Sequence, residues 1–168
     1  MVETSLTATQ AAWFLPFVAP VCLYVAWNDL RAMKIPTWST DLLALIFVVV
    51  GIFLMPFWPD YVMRFAHFGV VLVIGMALNA IGAMGAGDSK FIASAAPFVA
   101  LQDAWAVLFL LATSFIAAFA VHRLCRAIPA IRNLVPDWQS WTEKRRFPMG
   151  FPLGVTLILY LAHPLIQG

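Results

Sequence analysis

Charged and turn-forming residues divide the chain into six stretches that carry no formal charge: 4–28, 42–59, 65–87, 91–102, 104–121 and 147–168. Five of these approach or exceed the roughly 20 apolar residues that a helix needs to cross a bilayer. The pattern predicts an all-α, polytopic transmembrane helix bundle with about six spans. The fourth stretch is the exception. A helix over 88–102 would have 15 residues and rise about 22 Å, against a hydrocarbon core of about 30 Å. It reads either as a short span in a thinned or wet region or as a re-entrant segment.

The basic residues choose between these. If all six stretches cross, Arg31, Lys34, Lys90, Arg123, Arg126, Arg132, Lys144, Arg145 and Arg146 share one side, nine of the ten basic residues, and only Arg64 lies opposite. The positive-inside rule makes the crowded side cytoplasmic and leaves both termini outside. A re-entrant fourth stretch would split the basic residues, so six crossings are expected. Residues 1–27 hold Glu3 but no basic side chain. They therefore lack the positive region of a cleavable signal peptide, and the first helix is expected to be retained.

Composition sharpens the membrane reading. Of 168 residues, 63% are apolar and 11% charged, where a soluble domain has about 45–50% and about 25%. Mean hydropathy is +0.90. The length bounds one integral membrane unit over 1–168, with no space for a second soluble domain. A net charge of +2 gives no argument for nucleic acid. Cys22 and Cys125 stand far apart without a CxxC or Cys/His cluster, which argues against a disulfide framework, a zinc site or an iron–sulfur cluster. His67, His122 and His163 fall near stretch ends on different sides, so no metal site and no cofactor is expected. In the loop 55–60, Trp58 and Tyr61 suit an interfacial aromatic belt. The loop 122–146 mixes basic residues with Trp138 and Trp141, suiting a segment that lies on an anionic lipid leaflet.

An ionisable residue at the edge of an apolar span is a functional candidate, because burying a charge is expensive. Asp29 ends the first helix and Asp88 follows the third, both on the cytoplasmic side of the six-crossing topology. Two carboxylates held close cannot both ionise, so one stays protonated and the other anionic. The anion activates water against a peptide carbonyl, and its partner polarises that carbonyl and protonates the leaving amine. Gly85 and Gly87 beside Asp88 carry no Cβ and let an extended substrate approach. Asp88 also reads as an N-cap for the fourth helix. Arg31, Lys34 and Lys90 read first as topology determinants, with Lys90 also near enough to Asp88 to meet a substrate. Asn79 is expected to bond a neighbouring helix, and small residues such as Gly75, Ala93 and Ser94 to pack helices.

These residues resemble a family. Asp29-Leu-Arg followed by Ile35-Pro36, then Gly85-Ala-Gly-Asp88-Ser-Lys90, then Phe147-Pro-Met-Gly150, look like the motifs of prepilin peptidases, membrane aspartic proteases of the Gly-x-Gly-Asp type. The likeness extends from the first helix to the last, and is greatest to the short members of tight-adherence, Flp-type pilus systems. It implies a bacterial inner-membrane enzyme that cleaves the basic leader from type IV prepilins or pseudopilins at the cytoplasmic face. Asp29 and Asp88 would be its catalytic pair, and prepilin, membrane lipid and the pilus or secretion machinery its partners. Thr37 stands where the family usually has Asn, and Met149 where it commonly has Tyr. The chain lacks the paired CxxC insertion of the bifunctional members, so no methyltransferase activity is expected. Gly85, Gly87, Lys90, Trp138 and Trp141 are the expected substrate-binding residues, the two tryptophans bordering the path of the leader. A presenilin-like enzyme would place Tyr-Asp on the preceding helix and Pro-Ala-Leu later, and this chain has neither. The alternatives are a small proton-coupled transporter, which calls for polar residues near the midplanes, and a non-catalytic secretion-system scaffold.

Overall fold

The computed structural model describes residues 4–143 and 146–167. Glu3, Lys144 and Arg145 lie outside them. Among the described residues there is no β-strand. The helices are α1 (Ala8–Ala32), α2 (Thr37–Leu54), α3 (Val62–Ala80), α4 (Ala86–Ala95), α5 (Ala104–Ala127), α6 (Pro129–Leu134) and α7 (Gly150–Gln167). Five helical segments are long and apolar enough to cross a membrane, and α4 is not among them. The protein is a multi-pass membrane bundle whose outer surface is apolar. Trp105, for example, is 84% exposed, as suits a face turned to lipid.

Local chemistry sets the ends of α1. Thr7 Oγ1 accepts from the Gln10 backbone N–H, and Gln10 Oε1 accepts from the Thr7 N–H, so the entry satisfies two otherwise orphaned donors. At the exit Met33 turns left-handed (φ 53°) and donates its N–H to the Asp29 carbonyl. Asn28 Nδ2 donates to the Lys34 carbonyl across the same turn. The chain then reverses into α2 through Ile35 and Pro36.

The fourth leg resolves the short stretch. Its α-helix has only ten residues, about 15 Å of rise. Two 3₁₀ turns, Ala96–Phe98 and Leu101–Asp103, carry the chain onward. The Ser89 hydroxyl donates to Gly75 in the second half of α3, and Arg64 near the start of α3 donates to the Pro97 carbonyl. The leg therefore runs antiparallel to α3 and reaches its far end, so residues 86–103 link the two ends of the bundle. Gly75 makes this approach tight: a Cβ there would come within 2.9 Å of Ser89 Cβ. Ala93 and Ser94 are buried, as packing contacts should be.

The most extensive pairing is α1 with α7. A Cβ on Gly154 would sit 2.7 Å from the Cys22 carbonyl oxygen, so the two backbones meet where a side chain is missing. α7 also packs on α5, and α2 lies between α1 and α4. Phe14, Phe47 and Phe98 form an aromatic core with centroids 5.0 to 6.0 Å apart. Tyr61 joins it. Its ring stacks on Phe47 and its hydroxyl donates to the Val48 carbonyl, so Tyr61 is a core residue and not part of an interfacial belt. Trp58 remains exposed.

Contacts identify the two ends. One holds Asp29 against Gly150, Ile35 against Gly87, and His122 against Phe147. The other holds a polar knot that the sequence did not announce. Asp103 accepts from the Ser5 N–H and hydroxyl and from the Tyr160 hydroxyl at 2.7 to 3.0 Å. That knot ties the first described residues to α7 and to the start of α5. Arg31, Lys34, Lys90, Arg123, Arg126, Arg132 and Arg146 belong to the aspartate end, and Arg64 to the other.

Candidate active site

Asp29 sits in the last turn of α1, where the chain must turn back before Pro36. It is only 5% exposed. A buried carboxylate needs a donor, and it finds one in the main chain of α7: the Gly150 N–H donates to Asp29 Oδ2 at 2.6 Å. That N–H belongs to the first turn of α7, so it has no partner within its own helix. The approach requires glycine, because a Cβ on residue 150 would come within 3.0 Å of Asp29 Cβ and 3.1 Å of Val25 Cγ1.

Asp88 arrives from the opposite wall. Gly85, not Asp88, is the N-cap of α4, and this corrects the expected capping role. Asp88 lies three residues into the helix and reaches back, so that its carboxylate lies against the Gly85 backbone. The negative group also meets the positive end of the helix dipole. The loop before it is fastened by Asn79, whose Nδ2 donates to the Met84 carbonyl at 2.8 Å. Asn79 therefore braces its own following turn and does not bond another helix. Gly82 takes φ +75° in that turn.

The two carboxylates stand on elements that touch. Gly87 brings their supports together: a Cβ there would sit 3.1 Å from Ile35 Cβ and 3.3 Å from the Ile35 carbonyl oxygen. The loop after Asp29 thus rests on the helix turn that carries Asp88. Gly85 is exposed, and a Cβ there would meet Asp88 Oδ2 at 2.6 Å. Lys90 is exposed on the next part of α4.

The tryptophans are placed differently from each other. Trp141 is buried, its indole N–H donating to the Val135 carbonyl and its ring stacking on His122. Trp138 is half-buried and stacks on the outer side of Trp141 at 5.5 Å. The Gln139–Trp141 turn packs on α1. Of the two, only Trp138 keeps an open flank. Sequence reasoning also missed the donor to Asp29. A main-chain N–H leaves no side-chain signature, and its only trace is the glycine that ends Phe147-Pro-Met-Gly150.

Chemically, the end of the bundle presents one carboxylate held by a backbone donor and a second on a helix start, their supports joined where Gly87 meets Ile35. Comparison with known proteins gives one result. The model of the type IV leader peptidase family matches residues 17–121, well over half of the chain, and that span contains both Asp29 and Asp88. No curated protein and no solved structure matches the chain.

Proposed function

The chain belongs to the type IV leader peptidase family, and from that premise we propose that it cleaves the basic leader from a type IV, Flp-like prepilin or pseudopilin, with Asp29 and Asp88 as its catalytic pair. The observation that carries this reading is the contact between the turn that follows Asp29 and the helix start that carries Asp88, through Ile35 and Gly87, with both aspartates inside the matched span.

The chemistry follows from sharing one proton. The anionic carboxylate takes a proton from water as the water oxygen attacks the scissile carbonyl carbon. The protonated partner hydrogen-bonds the carbonyl oxygen, then delivers its proton to the amide nitrogen as the C–N bond breaks. The products are a free carboxylate and a free amine, and two carboxyl groups with one water suffice. Exposed Gly85 offers main chain beside Asp88 to an extended substrate, while Gly87 serves the contact with Ile35; Lys90 and the outer side of Trp138 lie at the margins of the substrate's path. Trp141 supports that flank from beneath.

The clustering of basic residues at the aspartate end supports, by the positive-inside rule, a site at the cytoplasmic face, in our reading that of a bacterial inner membrane. The leader then stays on the cytoplasmic side while the apolar helix behind it lies in the bilayer beside the enzyme. The pilus or secretion machinery receives the mature product. Co-expression of a cognate prepilin with Asp29→Ala or Asp88→Ala tests the reading on a gel. Unprocessed prepilin is expected with either variant, and processing at the wild-type rate with either one would refute the pair.

A further inference from the structure

We propose that His122 is a positioning residue for Asp29, acting through Phe147 and the short strap that ends at Gly150. This rests on the peptidase reading for its kinetic consequence, though not for its geometry. His122 lies near the C-terminal end of α5, is 6% exposed, and its Nε2 has no hydrogen-bond partner among the described residues. Hydrogen bonding at that nitrogen does not hold the ring. Packing does: one face stacks on Trp141 at 5.0 Å and 21°, and Phe147 meets it edge to face at 5.6 Å and 88°. Offset-stacked and edge-to-face pairs are the favoured aromatic geometries.

Phe147 is clamped on its other sides by Phe115 and Phe119, so α5 grips it with three rings. From Phe147 to Gly150 there is little slack. Pro148 is fully buried and its ring fixes φ. The next N–H but one belongs to Gly150, the donor to Asp29 Oδ2. With Pro148 buried and its φ fixed, a shift of Phe147 is passed along this three-residue strap to the donor that sets the Asp29 carboxylate. The loop that carries Trp138 and Trp141 therefore acts on the site from behind as well as from its rim. A residue that contacts the leader would alter KM, whereas one that sets Asp29 alters kcat.

The test uses the full chain in lipid, with one cognate prepilin, comparing wild type, His122→Ala, His122→Phe and Phe147→Leu. Misplacing a catalytic group by about 1 Å can cost about a hundredfold, so kcat is expected to fall about tenfold or more in His122→Ala and Phe147→Leu, with KM within about twofold. His122→Phe, which keeps a ring between Trp141 and Phe147, is expected to restore kcat. Hydrogen exchange of the peptide over 147–151 should speed up in the two defective variants and not in His122→Phe. An unchanged kcat in His122→Ala, a change confined to KM, or a His122→Phe enzyme as poor as His122→Ala would overturn the proposal. If His122→Ala does not fold, Phe147→Leu, which keeps apolar volume, decides alone. If the wild type cleaves no prepilin, the peptidase reading falls, and the exchange rates still judge the strap: unchanged protection there overturns it.

Discussion

Gly150 shows how much of the site depends on a missing side chain. Its N–H holds Asp29 from 121 residues away, and the methyl group of an alanine would press on both Asp29 and Val25 at 3.0 to 3.1 Å. Gly150→Ala is expected to lower kcat about ten- to a hundredfold while the protein stays folded, because the cost of small misplacements falls on the chemical step. Single-turnover cleavage with saturating prepilin measures it, and a kcat equal to wild type would detach Gly150 from the site. At this scale the sequence was legible where charge is scarce. Asp29 and Asp88 stood out because, among eight acidic residues, these two had motif company on the side where the basic residues gather. Asp103 did not, since its partners Ser5 and Tyr160 lie 98 and 57 residues away and belong to no motif. Trp141 and Tyr61 were misleading for a related reason: an aromatic residue near a span end looks the same in sequence whether it faces lipid headgroups or the core.

Between elements, glycines set how closely helices approach, and the contacts differ sharply from one to the next. A Cβ on Gly154 would strike the Cys22 carbonyl oxygen at 2.7 Å, a backbone atom that cannot rotate away, whereas one on Gly69 would meet nothing within 4 Å. Gly154→Ala is therefore expected to push α1 and α7 apart and to destabilise by about 1–3 kcal/mol, the usual range for overpacking. Gly69→Ala should leave stability unchanged or slightly raised. Thermal unfolding in detergent compares the two, and equal midpoints would contradict the close α1–α7 approach. The long helices were readable from apolar run length alone. The fourth leg was not, because a ten-residue helix continued by 3₁₀ turns has no periodic signature of a span. What the sequence did carry was its direction, through the side on which the basic residues gather.

Across the whole molecule the two ends divide labour. One end carries the carboxylate pair among most of the basic residues, and the other is fastened by Asp103. Removing that anchor with Asp103→Ala releases the exposed Ser5 and leaves the buried Tyr160 hydroxyl without its acceptor, at a cost of about 1–3 kcal/mol. The expected result is a lower melting temperature and faster proteolysis near the N-terminus, with kcat per folded molecule unchanged. A loss of kcat in the folded fraction would show that the ends are coupled.

Scarcity of charge pointed to two acids in the sequence, and the fold brings their supports into contact: one helix end and one helix start meet through Gly87 and Ile35. The central claim is tested most directly by purified protein in lipid vesicles, with cleavage of a cognate prepilin followed by mass spectrometry of the new N-terminus. Asp29→Asn and Asp88→Asn should each abolish the product, while Asp41→Asn, at an exposed acid on α2, should cleave as wild type does. A mature product from either of the first two variants at the wild-type rate would contradict the account.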